Sequence, residues 1–232
     1  MIRTWTLVDF VLVILGGLLG ASVFAAIGIA ADNDEVLIVL ALTGQYAGHL
    51  FVLWLLNRTK PPDSLGFEVR GRDSSYIFAG LGLQLGLSIL FLPLVLLLFP
   101  DGGPTQEIGD IMADLQSGKA RLASLLVSVV LAPITEELAF RGVLIKALGE
   151  RSKRTLILVS ALVFSVFHVL GLASGNLLAA GVVVLPQLFI VGVVLAWVTI
   201  RTGRLGPAIF LHSGWNLLAA LVLLLPPELL NA

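Results

Sequence analysis

The sequence of 232 residues contains no cysteine and few charged residues. The absence of cysteine excludes disulfides, thiolate metal ligands and a cysteine nucleophile. Lys, Arg, Asp and Glu make up only 12% of the chain, whereas they make up about a quarter of a typical soluble domain. The net charge is -1 and no basic stripe is present, so the sequence predicts no nucleic-acid partner.

The chain instead consists largely of long apolar runs. Hydrophobic residues make up 58% of it and the mean hydropathy is +1.03, values that are typical of a multi-pass integral membrane protein. A helix needs roughly 20 apolar residues to cross the hydrocarbon core. We therefore predict an all-α transmembrane bundle of about seven spans, at residues 6–31, 36–56, 74–99, 122–147, 155–172, 180–200 and 207–225. The fifth and seventh runs are near the lower limit of length.

Basic residues in alternate loops predict the orientation of the bundle, because cytoplasmic loops carry an excess of Lys and Arg. The connections after the second, fourth and sixth runs hold most of the basic residues: Arg58, Lys60, Arg70, Arg72, Lys146, Arg151, Lys153, Arg154, Arg201 and Arg204. We therefore expect the N-terminus inside and the C-terminus outside, in the cell membrane. No linker divides the chain, so we expect residues 1–232 to form a single integral membrane domain.

One connection has helical periodicity of its own. Within residues 100–120, four apolar residues recur at i, i+3, i+4 and i+7 spacing: Ile108, Ile111, Met112 and Leu115. This pattern fits a short amphipathic helix on the outer surface, and a solvated connector fits it equally well.

Three of the apolar runs carry polar residues at helical spacing. A charged side chain near the middle of a bilayer costs on the order of 2.5 to 3.5 kcal/mol, so such residues persist where they face one another or a wet cavity. We therefore predict one buried polar site, formed by Glu136, Glu137 and Arg141 in the fourth run, His168 with Phe164 in the fifth, and His212 with Asn216 in the seventh.

The spacing of these residues suggests distinct roles. Glu137 and Arg141 are four residues apart and can pair on one helix, whereas Glu136 points about 100° away and stays free. Beside a neutral His168, the Glu136 carboxylate can polarise a water molecule as a general base. Side chains at positions 212 and 216 can donate hydrogen bonds to an oxygen that becomes negative during attack on a carbonyl.

Taken singly, each motif also has a structural explanation. The acid–base pair of the fourth run is a satisfied intramembrane ion pair, and the histidines and the amide are helix–helix hydrogen-bond partners. Only their joint occurrence favours catalysis. His49 has no such companions, so we expect it to be structural or interfacial, and we interpret the tyrosines as packing residues or interface anchors. Pro133, just before the glutamates, is expected to kink the fourth run.

The ordered motifs resemble those of a known family. The run from Ala132 to Gly142, Ala-Pro-Ile-Thr-Glu-Glu-Leu-Ala-Phe-Arg-Gly, followed by Phe-x-x-x-His and His-x-x-x-Asn, is similar to the CAAX-protease and bacteriocin-processing family of intramembrane glutamate proteases, also called Abi or Rce1-like. The resemblance covers about residues 115–220, which we expect to form the catalytic core.

The resemblance implies an endopeptidase that works within the membrane without metal or cofactor. Carried over, Glu136 activates water with His168, while His212 and Asn216 form the oxyanion site. Glu137, Arg141 and Phe164 hold the local structure. The partners implied are membrane lipid and a peptide or lipidated-peptide substrate, of the prenylated CAAX type or bacteriocin-like.

Two other functions stay open at this point. A zinc peptidase would use Glu136, His168 and His212 as ligands, although the His-Glu-x-x-His helix of zinc proteases is absent. A non-enzymatic membrane protein, such as an immunity factor or a small transporter, would use the same polar groups to bind a ligand or relay protons.

Overall fold

The computed structural model describes residues 4–99, 115–169 and 180–224. Within these ranges it contains seven helices and no strand, which confirms the all-α class. The helices are α1 (Leu7–Ala30), α2 (Asp34–Asn57), α3 (Tyr76–Leu98), α4 (Gly118–Leu148), α5 (Lys153–Val169), α6 (Leu185–Thr202) and α7 (Gly206–Leu224). Most of the amphipathic segment predicted within residues 100–120 lies outside the described residues.

Five of the described helices are long and apolar enough to cross a membrane. They are α1, α2, α3 with the 3-10 turn Gly71–Ser75 before it, α4, and α6 with the π-helical turn Ala180–Val184 before it. The other two, α5 and α7, correspond to the two runs that the sequence placed near the lower length limit. The chain is therefore a helical integral membrane protein, and the count of seven spans stays a prediction.

Side chains and glycines mark several helix ends. Thr6 caps α1 by accepting a hydrogen bond from the backbone N–H of Asp9, whose carboxylate accepts in return from the backbone N–H of Thr6. Asn33 caps α2 in a similar way. At the end of α6, Gly203 has a φ of 74°, in the left-handed region that favours glycine.

The bundle is built from helix pairs around α4. α1 packs on α2, α3 on α7 and α5 on α6, while α4 contacts α1, α2, α5 and α7. In the apolar windows of α4 and α6, 44% of the residues are buried inside the protein, compared with 6% in that of α3. The outer helices therefore turn most of their apolar side chains outward, as a bilayer-facing surface requires, and α4 occupies the centre.

α4 changes its hydrogen-bond register twice. It consists of α-helical segments at Gly118–Leu126, Ala132–Glu137 and Ile145–Leu148, separated by π-helical segments at Val127–Leu131 and Leu138–Leu144. Pro133, for which we predicted a kink, is the second residue after the first π-helical segment. Proline has no N–H to donate, so a register change at this point is chemically reasonable. The two glutamates end the short α-helical segment between the π-helices.

Polar contacts join the start of α1 and two connections at one end of the bundle. Lys60, after α2, binds Asp9 of α1 at 2.7 Å. Arg204, between α6 and α7, pairs with Asp73 before α3, with Nη2 2.7 Å from Oδ1. At the opposite end, the carboxylate of Glu35 accepts a 2.8 Å hydrogen bond from the backbone N–H of Ser117 before α4. The α2–α3 and α6–α7 connections thus lie together at one end, and the starts of α2 and α4 lie together at the other.

Candidate active site

Three helices bring their polar residues together around one carboxylate. Oε2 of Glu136, on α4, lies 3.4 Å from Nε2 of His168 on α5 and 3.8 Å from Nε2 of His212 on α7. The side chains of Glu136 and His168 are 14% and 20% exposed, whereas that of His212 is 4% exposed. The carboxylate therefore sits in a largely enclosed position that keeps some access to the surroundings.

The neighbouring carboxylate has a different environment. Oε1 of Glu137 accepts a 2.9 Å hydrogen bond from Nη1 of Arg141, and both side chains are completely buried. Nη2 of Arg141 also donates to the carbonyl of Gly192 on α6, at 3.2 Å. Arg141 thus pairs with Glu137 on the same helix, whereas Glu136 has no ion-pair partner on α4.

Hydrogen bonds also orient the two imidazole rings. Nδ1 of His212 lies 3.0 Å from Oε1 of Glu137, and Nδ1 of His168 lies 2.8 Å from the carbonyl oxygen of Phe164. An arginine-paired carboxylate and a carbonyl can only accept, so each ring donates through Nδ1. In the neutral form each Nε2 then carries a lone pair, and both lone pairs face Glu136.

Phe164 fills the space between these groups. Its ring centroid lies 4.3 Å from that of His168 and 5.8 Å from that of His212. The guanidinium carbon of Arg141 lies 4.5 Å from the same centroid, a distance typical of cation–π contact. Phe164 is 1% exposed, so one buried ring supports both histidines and the arginine.

Asn216 lies one turn after His212 on α7 and contacts the irregular part of α4. Its Nδ2 donates a 2.9 Å hydrogen bond to the backbone carbonyl of Ser128. In a π-helix each backbone N–H donates to the carbonyl five residues earlier, as the N–H of Ala132 does to Val127. In the same register, the carbonyl of Ser128 would accept from the N–H of residue 133. Since Pro133 has no N–H, the side-chain amide of Asn216 takes that carbonyl and ties α7 to α4 beside the glutamates.

The matched segment of the chain contains all of these residues. Residues 118–218 match the family model described as type II CAAX prenyl endopeptidase, Rce1-like. The segment is an Rce1-like domain. This match confirms the family that the motifs Glu136, His168, His212 and Asn216 indicated, and it implies a protease. No curated protein and no solved structure matches the chain.

One residue of the site lies outside the Rce1-like domain and was missed in the sequence. The hydroxyl of Tyr46, on α2, donates a 3.3 Å hydrogen bond to Oε1 of Glu136. The prediction that the tyrosines are packing residues or interface anchors is therefore wrong for Tyr46. The only local signal was its position three residues before His49, on the same helical face. His49 is 5% exposed and its ring packs against Gly17 of α1.

The geometry around Glu136 suits the binding of a small polar molecule. Within the described residues Oε2 makes no hydrogen bond, and the two imidazole nitrogens at 3.4 and 3.8 Å are near enough to share a bridging water. In the same part of the chain, no group of three or more His, Cys, Asp or Glu side chains has the arrangement of a metal site. The Rce1-like domain thus presents a carboxylate and two ring nitrogens to one point.

Proposed function

We propose that the chain is an intramembrane endopeptidase that hydrolyses a peptide bond with water activated by Glu136 and His168. The observation that carries the proposal is that Oε2 of Glu136 faces Nε2 of both histidines while Arg141 holds the adjacent Glu137. A water molecule at this point donates one hydrogen to the carboxylate and the other to His168. Its lone pair is then free to attack a carbonyl carbon.

The reaction follows from this arrangement. As the water oxygen bonds to the carbonyl carbon, one water proton passes to Glu136 and the carbonyl oxygen becomes an oxyanion. When the tetrahedral intermediate collapses, the C–N bond breaks and the proton returns from Glu136 to the departing amine nitrogen. The products are a carboxylic acid and an amine, and no oxidant or additional reactant is needed.

The oxyanion is assigned to Asn216 and His212. One N–H of the Asn216 amide is bound to Ser128, so the second is the donor offered to the oxyanion. His212 donates through Nε2 only when the ring is protonated on both nitrogens. In this form Nδ1 still donates to the carboxylate of Glu137, 3.0 Å away, while Nε2 is offered to the oxyanion. Glu137 therefore supports the oxyanion site as well as pairing with Arg141.

The substrate we propose is a membrane-associated peptide. The matched family is named for endopeptidases that act on CAAX prenyl substrates, which favours a peptide with a lipidated cysteine near its C-terminus, followed by the residues that are removed. A bacteriocin-like peptide without a lipid is the other class implied by the family resemblance. Both classes place a peptide bond near the membrane, where an enclosed carboxylate in a helical bundle can reach it.

The test uses the purified protein in lipid nanodiscs and a peptide library with two halves, one with farnesylated cysteine and one without. Wild type is compared with Glu136→Gln and with the control Glu150→Gln, which changes an exposed glutamate beyond α4. We expect Glu136→Gln to lose at least ~10²-fold in kcat, the contribution of a general base, and Glu150→Gln to match wild type. Turnover by a well-folded Glu136→Gln close to that of wild type would refute the proposal.

The same assay separates the alternatives. Cleavage should survive exhaustive chelation, and His212→Ala should lower kcat by about 10²-fold with little change in KM, as expected for loss of an oxyanion donor. Activity that chelation removes and zinc restores would instead assign Glu136, His168 and His212 to a metal site. Saturable binding of a peptide without cleavage, in wild type as in Glu136→Gln, would identify a non-enzymatic binding protein.

A further inference from the structure

We propose that Tyr46 is a positioning residue, which holds one oxygen of the Glu136 carboxylate so that the other faces the two histidines. This inference rests on the proposed function, because it concerns how the general base is oriented. The observation is that the two oxygens have different partners: Oε1 receives the Tyr46 hydroxyl at 3.3 Å, while Oε2 faces the imidazole nitrogens.

A glutamate carboxylate needs a hydrogen-bond partner to fix its orientation, because rotation about χ3 costs little energy. The bond between Cγ and the carboxyl group has a broad, roughly two-fold preference, so an unrestrained carboxylate samples many orientations. A single donor on Oε1 reduces that freedom and fixes the plane in which Oε2 lies. General-base catalysis depends on the carboxylate oxygen being within hydrogen-bond reach of the attacking water, so a small rotation is enough to lower the rate.

The position of Tyr46 is itself fixed by the packing of α2 on α1. His49, one turn further along α2, is buried with its ring against Gly17, where a side chain larger than hydrogen has no space. Its Nδ1 makes no hydrogen bond within the described residues, and the ring packs directly against the backbone of α1 at Gly17. The Tyr46 and His49 ring centroids are 6.1 Å apart. The packing of His49 against Gly17 therefore fixes the rotation of α2 about its axis, and this rotation directs Tyr46 toward Glu136.

The hydrogen bond also joins two parts of the chain. Tyr46 is 90 residues before Glu136 and lies outside the Rce1-like domain of residues 118–218. α2 is thus part of the catalytic geometry as well as a span beside it. Tyr46 contributes an uncharged hydrogen-bond donor, since its phenol O–H donates to the Glu136 carboxylate. Substitution by phenylalanine keeps the ring and removes the donor.

The chain offers a matched pair of variants, because it has only two tyrosines. Tyr46→Phe removes the proposed donor, and the control Tyr76→Phe removes the other phenol hydroxyl. Tyr76 is the first residue of α3 and packs against a buried apolar cluster formed by α3, α6 and α7. In the nanodisc assay we expect Tyr46→Phe to lower kcat by roughly tenfold, the effect of losing a hydrogen bond to a charged group, with KM changed less than about twofold. Tyr76→Phe should retain the wild-type kcat.

A spectroscopic arm tests the contact without turnover. Labelling both tyrosines with ¹³C at Cζ gives two resonances, and Tyr46→Phe assigns them by removing one. If Tyr46 donates to the carboxylate, Glu136→Gln replaces a charged acceptor by a neutral one and shifts the Tyr46 resonance, while the Tyr76 resonance stays in place. Glu150→Gln should move neither resonance.

The kinetic and spectroscopic results together distinguish the role of Tyr46 from the proposed function. An inactive Glu136→Gln together with a fully active Tyr46→Phe would overturn the positioning role and leave the proposed function intact. An unshifted Tyr46 resonance in Glu136→Gln would overturn the contact itself. An active Glu136→Gln would refute the proposed function and with it the role of Tyr46. A tenfold loss of kcat, a preserved KM and a shifted resonance would together support the assignment.

Discussion

At the scale of single residues, two adjacent glutamates differ only in what surrounds them. Glu137 has a cation four residues later on its own helix, and it is fully buried between Arg141 and His212. Glu136 points about 100° away, where no cation is present on α4, and meets a phenol and two imidazoles from other helices. The same kind of side chain is therefore paired with a cation at position 137 and faces groups from three other helices at position 136.

Stability should separate the two glutamates. Arg141→Ala leaves Glu137 buried without its main partner, so we expect a loss of roughly 3 to 5 kcal/mol in the free energy of unfolding. Glu136→Gln keeps the shape of the side chain and should cost far less. Denaturation in detergent, followed by helical circular dichroism, measures both variants, with the exposed Arg154→Ala as the control. Equal stability of Arg141→Ala and Glu136→Gln would contradict the assignment of the buried pair.

At the scale of helices, close backbone contact between α1 and α2 sets the position of Tyr46. The two helices meet along glycines, so that Gly48 lies against the backbone carbonyl of Gly16 and close to Gly20. Small residues of this kind let membrane helices approach closely, and packing then supplies most of the attraction between them. The contacts around Glu136 therefore depend on a helix pair that contains none of the three motifs.

The glycine contact can be tested with a matched substitution. Gly48→Ala would place its Cβ against the Gly16 carbonyl, and we expect a loss of roughly 1 to 3 kcal/mol in stability from overpacking. Gly86→Ala, on α3, places its Cβ where no atom lies within 4 Å and should be neutral or gain up to about 1 kcal/mol from helix propensity. Thermal unfolding in the same detergent compares them, and a Gly48→Ala as stable as Gly86→Ala would rule out a tight contact.

At the scale of the whole molecule, charge rather than packing predicts the orientation in the membrane. The contacts of Lys60 with Asp9 and of Arg204 with Asp73 place the basic connections after α2 and α6 at one end of the bundle. The positive-inside rule predicts that this end is cytoplasmic. The acidic connection between α1 and α2 is then outside.

The absence of cysteine makes this orientation simple to test, because single cysteines can be introduced without removing others. We expect Asp34→Cys, at the start of α2, to react with an impermeant maleimide added to intact cells. Glu150→Cys, after α4, should react only once the membrane is opened. Both positions are exposed at helix ends, so burial does not confuse the comparison. The reverse labelling pattern would show that the bundle is inverted.

Local patterns in the sequence were enough for the fold class, for the family and for contacts within single helices. Hydropathy indicated helical spans. Within lipid, every backbone N–H and C=O must find a hydrogen-bond partner in the protein, and a helix meets this need within a single segment. Helical spacing identified the Glu137–Arg141 pair, because residues four apart on one helix are neighbours whatever the rest of the fold does. The ordered motifs led to the Rce1-like family, which the match to residues 118–218 confirmed.

The tertiary structure decided which groups meet across helices. Three contacts depend on helix rotation and register. They are the approach of both histidine Nε2 atoms to one oxygen of Glu136, the hydrogen bond of Asn216 to the carbonyl of Ser128, and the hydrogen bond of Tyr46 to Glu136. Rotation and register are set by packing between residues far apart in the chain, such as His49 against Gly17, and these leave no periodic signal in the sequence. Contacts within a helix were therefore predictable from spacing, whereas the particular atoms that meet between helices were not.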